Sequence, residues 1–185
     1  NDQFGGSLEN RSRILFDIID GIRERCSPGF LLGVRLSPER FDLILGEVIE
    51  LARRLMSEGN IDFLDMSLWD SFKEPSEDEF KGKSLLSYFT DLDRFGVRLG
   101  TAGKIYTAQD VKRCIEAGVD FVTLGRAAIL HHDFPRQVLA NPDFKTVSLP
   151  VTREYLRSRG LGEAFVDYMA GWKGFVADDT QIDSK

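Results

Sequence analysis

Four residues, Arg35, Ser67, Gly100 and Gly125, each mark the end of a short apolar run, and they stand 32, 33 and 25 residues apart. Runs that return at this spacing, with helix-length amphipathic stretches between them, are the pattern of βα units. Parallel strands need such crossovers, and the crossovers lay helices on the sheet they connect. The regularity excludes all-α and all-β folds and predicts an α/β chain.

Read in order, Gly5-Gly6-Ser7 is a turn with Ser7 as helix N-cap, followed by Leu8, Ile14, Leu15, Ile18, Ile19 and Ile22 at helical spacing. Phe30 to Leu36 is a continuous apolar run that predicts a strand buried on both faces. A helix is predicted over 41–57, a strand over 61–67 and an exposed acidic loop over 70–82. A short helix over 85–95 and a strand over 97–100 come next. Thr107 and Asp110 are spaced as a capping box for a helix reaching Ala117, and Phe121 to Leu124 is the fourth strand. The tail carries helix candidates at 153–157 and 162–169 and a polar end from Asp178. Two regions are expected: a βα region over 1–140 and a helical extension with a frayed end over 141–185.

Charge narrows the partners. The net charge is −6 with no basic stretch, which argues against nucleic acid. No apolar run nears the roughly 20 residues of a membrane span. Cys26 and Cys114 are far apart and form neither a CxxC nor a metal-ligand spacing, so they read as reduced thiols of a cytoplasmic protein. No metal set is legible, and a small molecule is the expected partner.

Two architectures use such repeats. The doubly wound dinucleotide fold would carry G-x-G-x-x-G after its first strand, and this chain has none. The closed barrel of about 250 residues places its phosphate site in the loops after its last two strands. Here the last two strands run into Thr101-Ala102-Gly103-Lys104 and Leu124-Gly125-Arg126, small-residue turns whose backbone N–H groups suit an anion. If these are strands seven and eight, the chain is the C-terminal half of a (β/α)8 barrel, strands 5–8 with their helices. An opening at Asn1, on a helix that lacks its strand, then reads as a cut.

Phe4-Gly5-Gly6-Ser7-Leu8-Glu9-Asn10-Arg11-Ser12-Arg13 closely resembles the (Y/F)GGSxENRxR signature of the old yellow enzyme family, FMN-dependent NAD(P)H oxidoreductases. The resemblance continues in register through Gly33-Val34-Arg35-Leu36-Ser37, Ala102-Gly103-Lys104 and Leu124-Gly125-Arg126-Ala127. It implies a barrel that binds FMN, takes hydride from NADH or NADPH, and reduces an activated alkene such as an enone or nitroalkene.

It also implies roles. Arg35 resembles the family arginine facing the flavin N1/O2 edge, where a permanent positive charge stabilises the reduced cofactor. Set within Leu-Leu-Gly-Val-Arg-Leu, it is expected to be buried beside an anion. Ala102, Gly103 and Lys104 resemble one phosphate loop, with the Lys104 side chain expected in solvent and only its N–H offered. Gly125 and Arg126 resemble the second phosphate loop. The Gly-Gly-Ser stretch with Glu9, Asn10 and Arg11 is expected to brace the barrel rim.

Trp69, directly after the second strand, is a candidate for lining the substrate pocket. His131 and His132 are expected as surface or helix-end residues, and Asp65 as a hydrogen-bonded strand carboxylate. The family's substrate-gripping residues lie in the other half, so this chain alone is expected to be inactive. It would self-associate or pair with an N-terminal half. Two other readings remain open: a non-catalytic phosphate- or nucleotide-binding half-barrel, and a non-flavin phosphate-binding barrel lyase. The lyase would need a Schiff-base Lys inside a strand, and none of the four strands has one.

Overall fold

The computed structural model describes residues 2–177, so the polar end expected from Asp178 lies outside the described residues. These residues form two compact units. The first takes the chain to Lys104 together with 113–123, and the second takes 105–112 together with the chain from Leu124.

The first unit holds the whole sheet: β1 (Gly33–Leu36), β2 (Phe63–Ser67), β3 (Arg98–Ala102) and β4 (Phe121–Val122). They pair in parallel in chain order, β1-β2-β3-β4. Helix α1 (Leu8–Arg25) precedes them, and between them run α2 (Leu45–Glu58), α3 (Ser87–Thr90) and α4 (Ala108–Glu116), the last shared by both units. This is the α/β order that the repeat spacing predicts. Strand alternation sorts the sheet into two faces. Val34, Leu64, Met66, Leu99 and Thr101 project to one side and are buried. In α2, Leu45, Val48, Ala52, Leu55 and Met56 recur every three or four residues and are buried too.

The other face is unlike the expectation of a strand buried on both sides. Register aligns Arg35, Asp65, Gly100 and Phe121 in one row and Gly33, Phe63 and Arg98 in another. Two glycines make room for two aromatic rings on this face. A Cβ at Gly33 would meet the Phe63 ring at 2.1 Å, and one at Gly100 the Phe121 ring at 2.2 Å. The two rings meet edge to face at 5.8 Å.

Ser7 caps α1 through the Asn10 N–H, as its position predicts. The rest of that segment ties itself together. Asn10 Nδ2 donates to Gly5 O at 3.1 Å, Arg11 Nε to Gly6 O at 2.8 Å, and Arg11 and Glu9 reach Glu47 and Arg54 of α2. The apolar stripe of α1 is corrected: Phe16 and Ile19 are buried, whereas Ile14 and Ile18 are more than half exposed.

The predicted helix from Phe41 begins only at Leu45, because Arg40, Phe41 and Asp42 all have positive φ. No side chain caps α2 locally. Instead Glu77 Oε1 accepts from the Leu45 N–H at 2.7 Å. Thr107 and Asp110 do form the predicted capping box, with Thr107 Oγ1 accepting from Asp110 N–H at 2.9 Å and Asp110 Oδ2 from Thr107 N–H at 3.0 Å.

In the second unit, α5 (Arg126–Leu130) is followed by α6 (Phe134–Ala140), and α5, α7 (Arg153–Ser158) and α8 (Glu163–Ala170) contribute to a core of Leu130, Val151, Leu156, Val166, Met169 and Phe175. Helices α7 and α8 match the two tail candidates. Among the described residues no helix is long and apolar enough to cross a membrane.

Candidate functional site

Barrel sheets gather chemistry at the C-terminal ends of their strands. In the first unit those ends carry Arg35, Ser67 and Ala102 with the loops that follow.

Arg35 is not buried: its side chain is 54% exposed. It points from the open face of the sheet, so it needs no enclosed counter-ion. Its partners are nevertheless those of a positioned cation. Nη2 donates to Ser67 Oγ at 3.1 Å, and Nε lies 3.6 Å from Asp65 Oδ2. Asp65 is the enclosed member, 10% exposed at its side chain, and its Oδ1 is buried with no hydrogen-bond partner among the described residues. The carboxylate is therefore an ion-pair partner rather than a hydrogen-bonded strand group.

The loop after β2 lies on the turn after β3. Leu68 N–H donates to Ala102 O at 2.8 Å, Ser71 N–H to Gly103 O at 3.2 Å, and Ser71 and Thr101 share a buried hydroxyl contact at 3.3 Å. Gly103 is the point of closest approach. A Cβ there would stand 2.7 Å from Asp70 N, 2.8 Å from Trp69 C and 2.9 Å from Ser71 N.

Lys104 departs from the expectation of a side chain free in solvent, since Nζ pairs with Asp70 Oδ2 at 2.9 Å. Burial alone would raise the Asp70 carboxyl. Hydrogen bonds from Lys104 and Phe72 N–H, with the charges of Lys104 and Lys73, outweigh it and hold the group below its ordinary range. The turn also does not open a helix, because α4 starts only at Ala108. Any anion held at Gly103 and Lys104 would meet turn amides rather than a helix terminus.

In the second unit, Gly125 precedes the five-residue α5, and Arg126 lies over the Tyr106 ring at 5.5 Å. Among the described residues no carboxylate pairs with Arg126. A Cβ at Gly125 would meet nothing within 4 Å, so that glycine borders open space. His131 caps the end of α5 and accepts the Val147 N–H at Nε2, 3.1 Å away. Burial, aided by the Arg159 charge, lowers its pKa and favours the neutral acceptor. That is a helix-end role, as expected.

A cavity of about 410 Å³ opens beyond the ends of β1 and β2. Trp69 lines it, 59% exposed and at φ 64°. Glu39, 8% exposed, forms its inner wall: it pairs with Lys73 and accepts the Ser76 N–H at 2.5 Å. Arg40 lies over the Trp69 ring at 4.1 Å. Sequence reasoning missed Glu39, Arg40 and Lys73. The only signal was the Ser37-Pro38 break before them, which says that a loop begins and not where its side chains go.

Glu39 gives this wall a pH dependence. Burial would raise its carboxyl, but the Lys73 and Ser76 hydrogen bonds and the Lys73 charge hold it below its ordinary 4.5. A carboxyl lowered on folding stabilises the fold above its unfolded pKa, and that contribution drains as pH falls through the folded value. Unfolding midpoints in urea should therefore fall as the pH drops below about 4.5, the ordinary carboxyl value. Glu39→Gln should flatten that decline while costing stability at pH 7. An equal acid decline in both proteins would remove Glu39 from the account.

A family model described as the NADH:flavin oxidoreductase / NADH oxidase family matches residues 1–143. Among curated proteins, the chain is 29% identical over 149 residues to a probable N-methylproline demethylase of Rhizobium meliloti (strain 1021), covering 74% of this chain and 22% of that protein. It is 23% identical over 167 residues to an NADH:fumarate oxidoreductase of Klebsiella pneumoniae (strain 342), covering 84% of this chain and 18% of that one. Among solved structures, morphinone reductase in complex with tetrahydroNAD aligns at 25% identity and a TM-score of 0.59. That alignment covers 98% of this chain and 45% of the other. The chain thus spans about a fifth of those two curated relatives and under half of that barrel.

Proposed function

The chain belongs to the NADH:flavin oxidoreductase / NADH oxidase family, that of the old yellow enzymes, and on that footing we propose that it carries the FMN-holding part of an NAD(P)H-dependent oxidoreductase. Bound FMN would supply hydride relay from NADH or NADPH to the electron-poor carbon of an activated alkene.

The observation that carries the reading is the Arg35 cluster. A half-exposed guanidinium stands at a strand end, on the sheet face that also carries two aromatic rings, held by Ser67 and by a buried carboxylate whose second oxygen has no partner among the described residues. The set fits the edge of a flavin: apolar ring surface on the same sheet face and a fixed positive charge for its N1–C2=O edge. Asp65 holds Arg35 at that place. Arg35 holds the charge that favours the reduced cofactor.

The FMN phosphate is assigned to backbone N–H groups of Ala102, Gly103 and Lys104 in the first unit. In the second unit, Gly125 and Arg126 resemble a phosphate loop of the family in their own right. The Lys104 ammonium is committed to Asp70, so Lys104 contributes its amide alone. Trp69 lines the substrate side.

Titration of flavin fluorescence tests this. FMN should bind the chain with a defined stoichiometry, and riboflavin, which lacks the phosphate, should bind at least about tenfold more weakly, as expected for lost charge-assisted bonds. Equal affinities would remove the phosphate site.

A further inference from the structure

We propose that the cavity beside Arg40 and Trp69 is a carboxylate subsite, and that the acceptor is an unsaturated acid whose carboxylate Arg40 receives. This rests on the reading above, that an acceptor binds at this end of the sheet, and it names the acceptor's class.

The charges come first. The ionisable groups lining the cavity are Glu39, Arg40 and Lys73. Glu39 and Lys73 neutralise each other, and Glu39 spends its remaining capacity on the Ser76 N–H and hydroxyl. Arg40 is left as the cavity's unmatched charge, although Glu39 is its chain neighbour. Among the described residues its guanidinium forms no hydrogen bond or ion pair, and it lies over two rings, Trp69 at 4.1 Å and Phe41 at 6.0 Å.

Geometry adds direction. A guanidinium lying over a ring spends its face there, while its N–H donors lie in its plane and remain for an acceptor. Those donors match a carboxylate in a two-pronged contact. The ring that positions Arg40 also offers a flat apolar wall to a conjugated skeleton attached to that carboxylate. The volume, about 410 Å³, is within the range of small-molecule sites.

The backbone supports a built site rather than a chance stack. Arg40, Phe41, Asp42 and Trp69 all sit at positive φ between 55° and 82°, and none is glycine. Strain of this kind persists where surrounding structure fixes it, and it gathers at ligand clamps. Here three of the six positive-φ non-glycine residues among the described residues, Arg40, Phe41 and Trp69, border one cavity, and Asp42 follows them in the chain.

Isothermal titration with trans-cinnamate and with its neutral isostere cinnamamide tests the proposal on the chain itself. The acid should bind about tenfold or more tightly than the amide, as for a charge-assisted contact. Arg40→Gln should erase that preference, with far-UV circular dichroism unchanged, and Arg40→Lys should keep part of it. Equal affinities, no binding of either compound, or a preference that survives Arg40→Gln would overturn the subsite. A parallel FMN titration of the unaltered chain separates the two readings. FMN binding without acid preference sinks only the subsite, and acid preference without FMN binding sinks only the flavin assignment.

Discussion

Gly103→Ala lowers the stability of the chain by about 2–3 kcal/mol, the cost of overpacking a rigid contact. Gly125→Ala changes it by less than about 0.5 kcal/mol, as at an unencumbered surface site. The two glycines occupy matching places in the sequence, each in a turn after one of the last two strands. Their surroundings differ. At Gly103 a new Cβ would fall within 3 Å of three backbone atoms of residues 69–71, and backbone cannot swing aside as a side chain can. The substitution pushes apart two loops that are joined by Leu68 N–H to Ala102 O and by Ser71 N–H to Gly103 O. At Gly125 the same Cβ meets open space. Urea midpoints at an unchanged slope measure both. A Gly103→Ala protein as stable as the parent would mean that the loop after β2 is not seated on the turn after β3.

Arg126→Ala weakens FMN by about 1.5–3 kcal/mol, the range for a lost hydrogen bond to a charged group. Riboflavin affinity should not change, because the phosphate is the group that Arg126 is assigned. Arg126 lies over Tyr106 and has no carboxylate partner among the described residues, so its removal strands no buried charge and the fold should persist. Lysine at this position should restore only part of the affinity, since it offers a point charge in place of a two-pronged donor. Unchanged FMN affinity in the alanine variant would move the phosphate elsewhere.

Much of the scaffold could be read from residue order. The strand ends at Arg35 and Ser67 fall within one residue of the ends of β1 and β2, because apolar runs between helical patterns leave little choice of element. Ser7 and the Thr107–Asp110 box were legible because capping is local, reaching only three residues along the chain. What failed was non-local. Helix α2 starts at Leu45 because Glu77, 32 residues away, takes its first amide. Arg35 looked buried because its neighbours are apolar, yet strand alternation puts it on the open face while Val34 carries the burial. Lys104 looked free because Asp70, 34 residues earlier, reaches it only once the loops meet.

The site divides along the same line. Arg35, Trp69 and the glycine turns stand out because each follows a strand, and a strand end has a defined place in a βα sheet. The Arg40–Trp69 stack and the Glu39–Lys73 pair join positions about 30 residues apart in loops. Three consecutive left-handed residues that set Arg40 over the ring have no sequence signature, since Arg and Phe rarely take positive φ and a single Asp, which tolerates it, does not announce it.

The most direct measurement is the visible absorbance of the protein after incubation with FMN and removal of free flavin on a desalting column. A yellow protein fraction with close to one flavin per chain and a spectrum shifted from that of free FMN is expected. A colourless fraction from a folded chain, with all the flavin in the small-molecule volume, would contradict the flavin assignment.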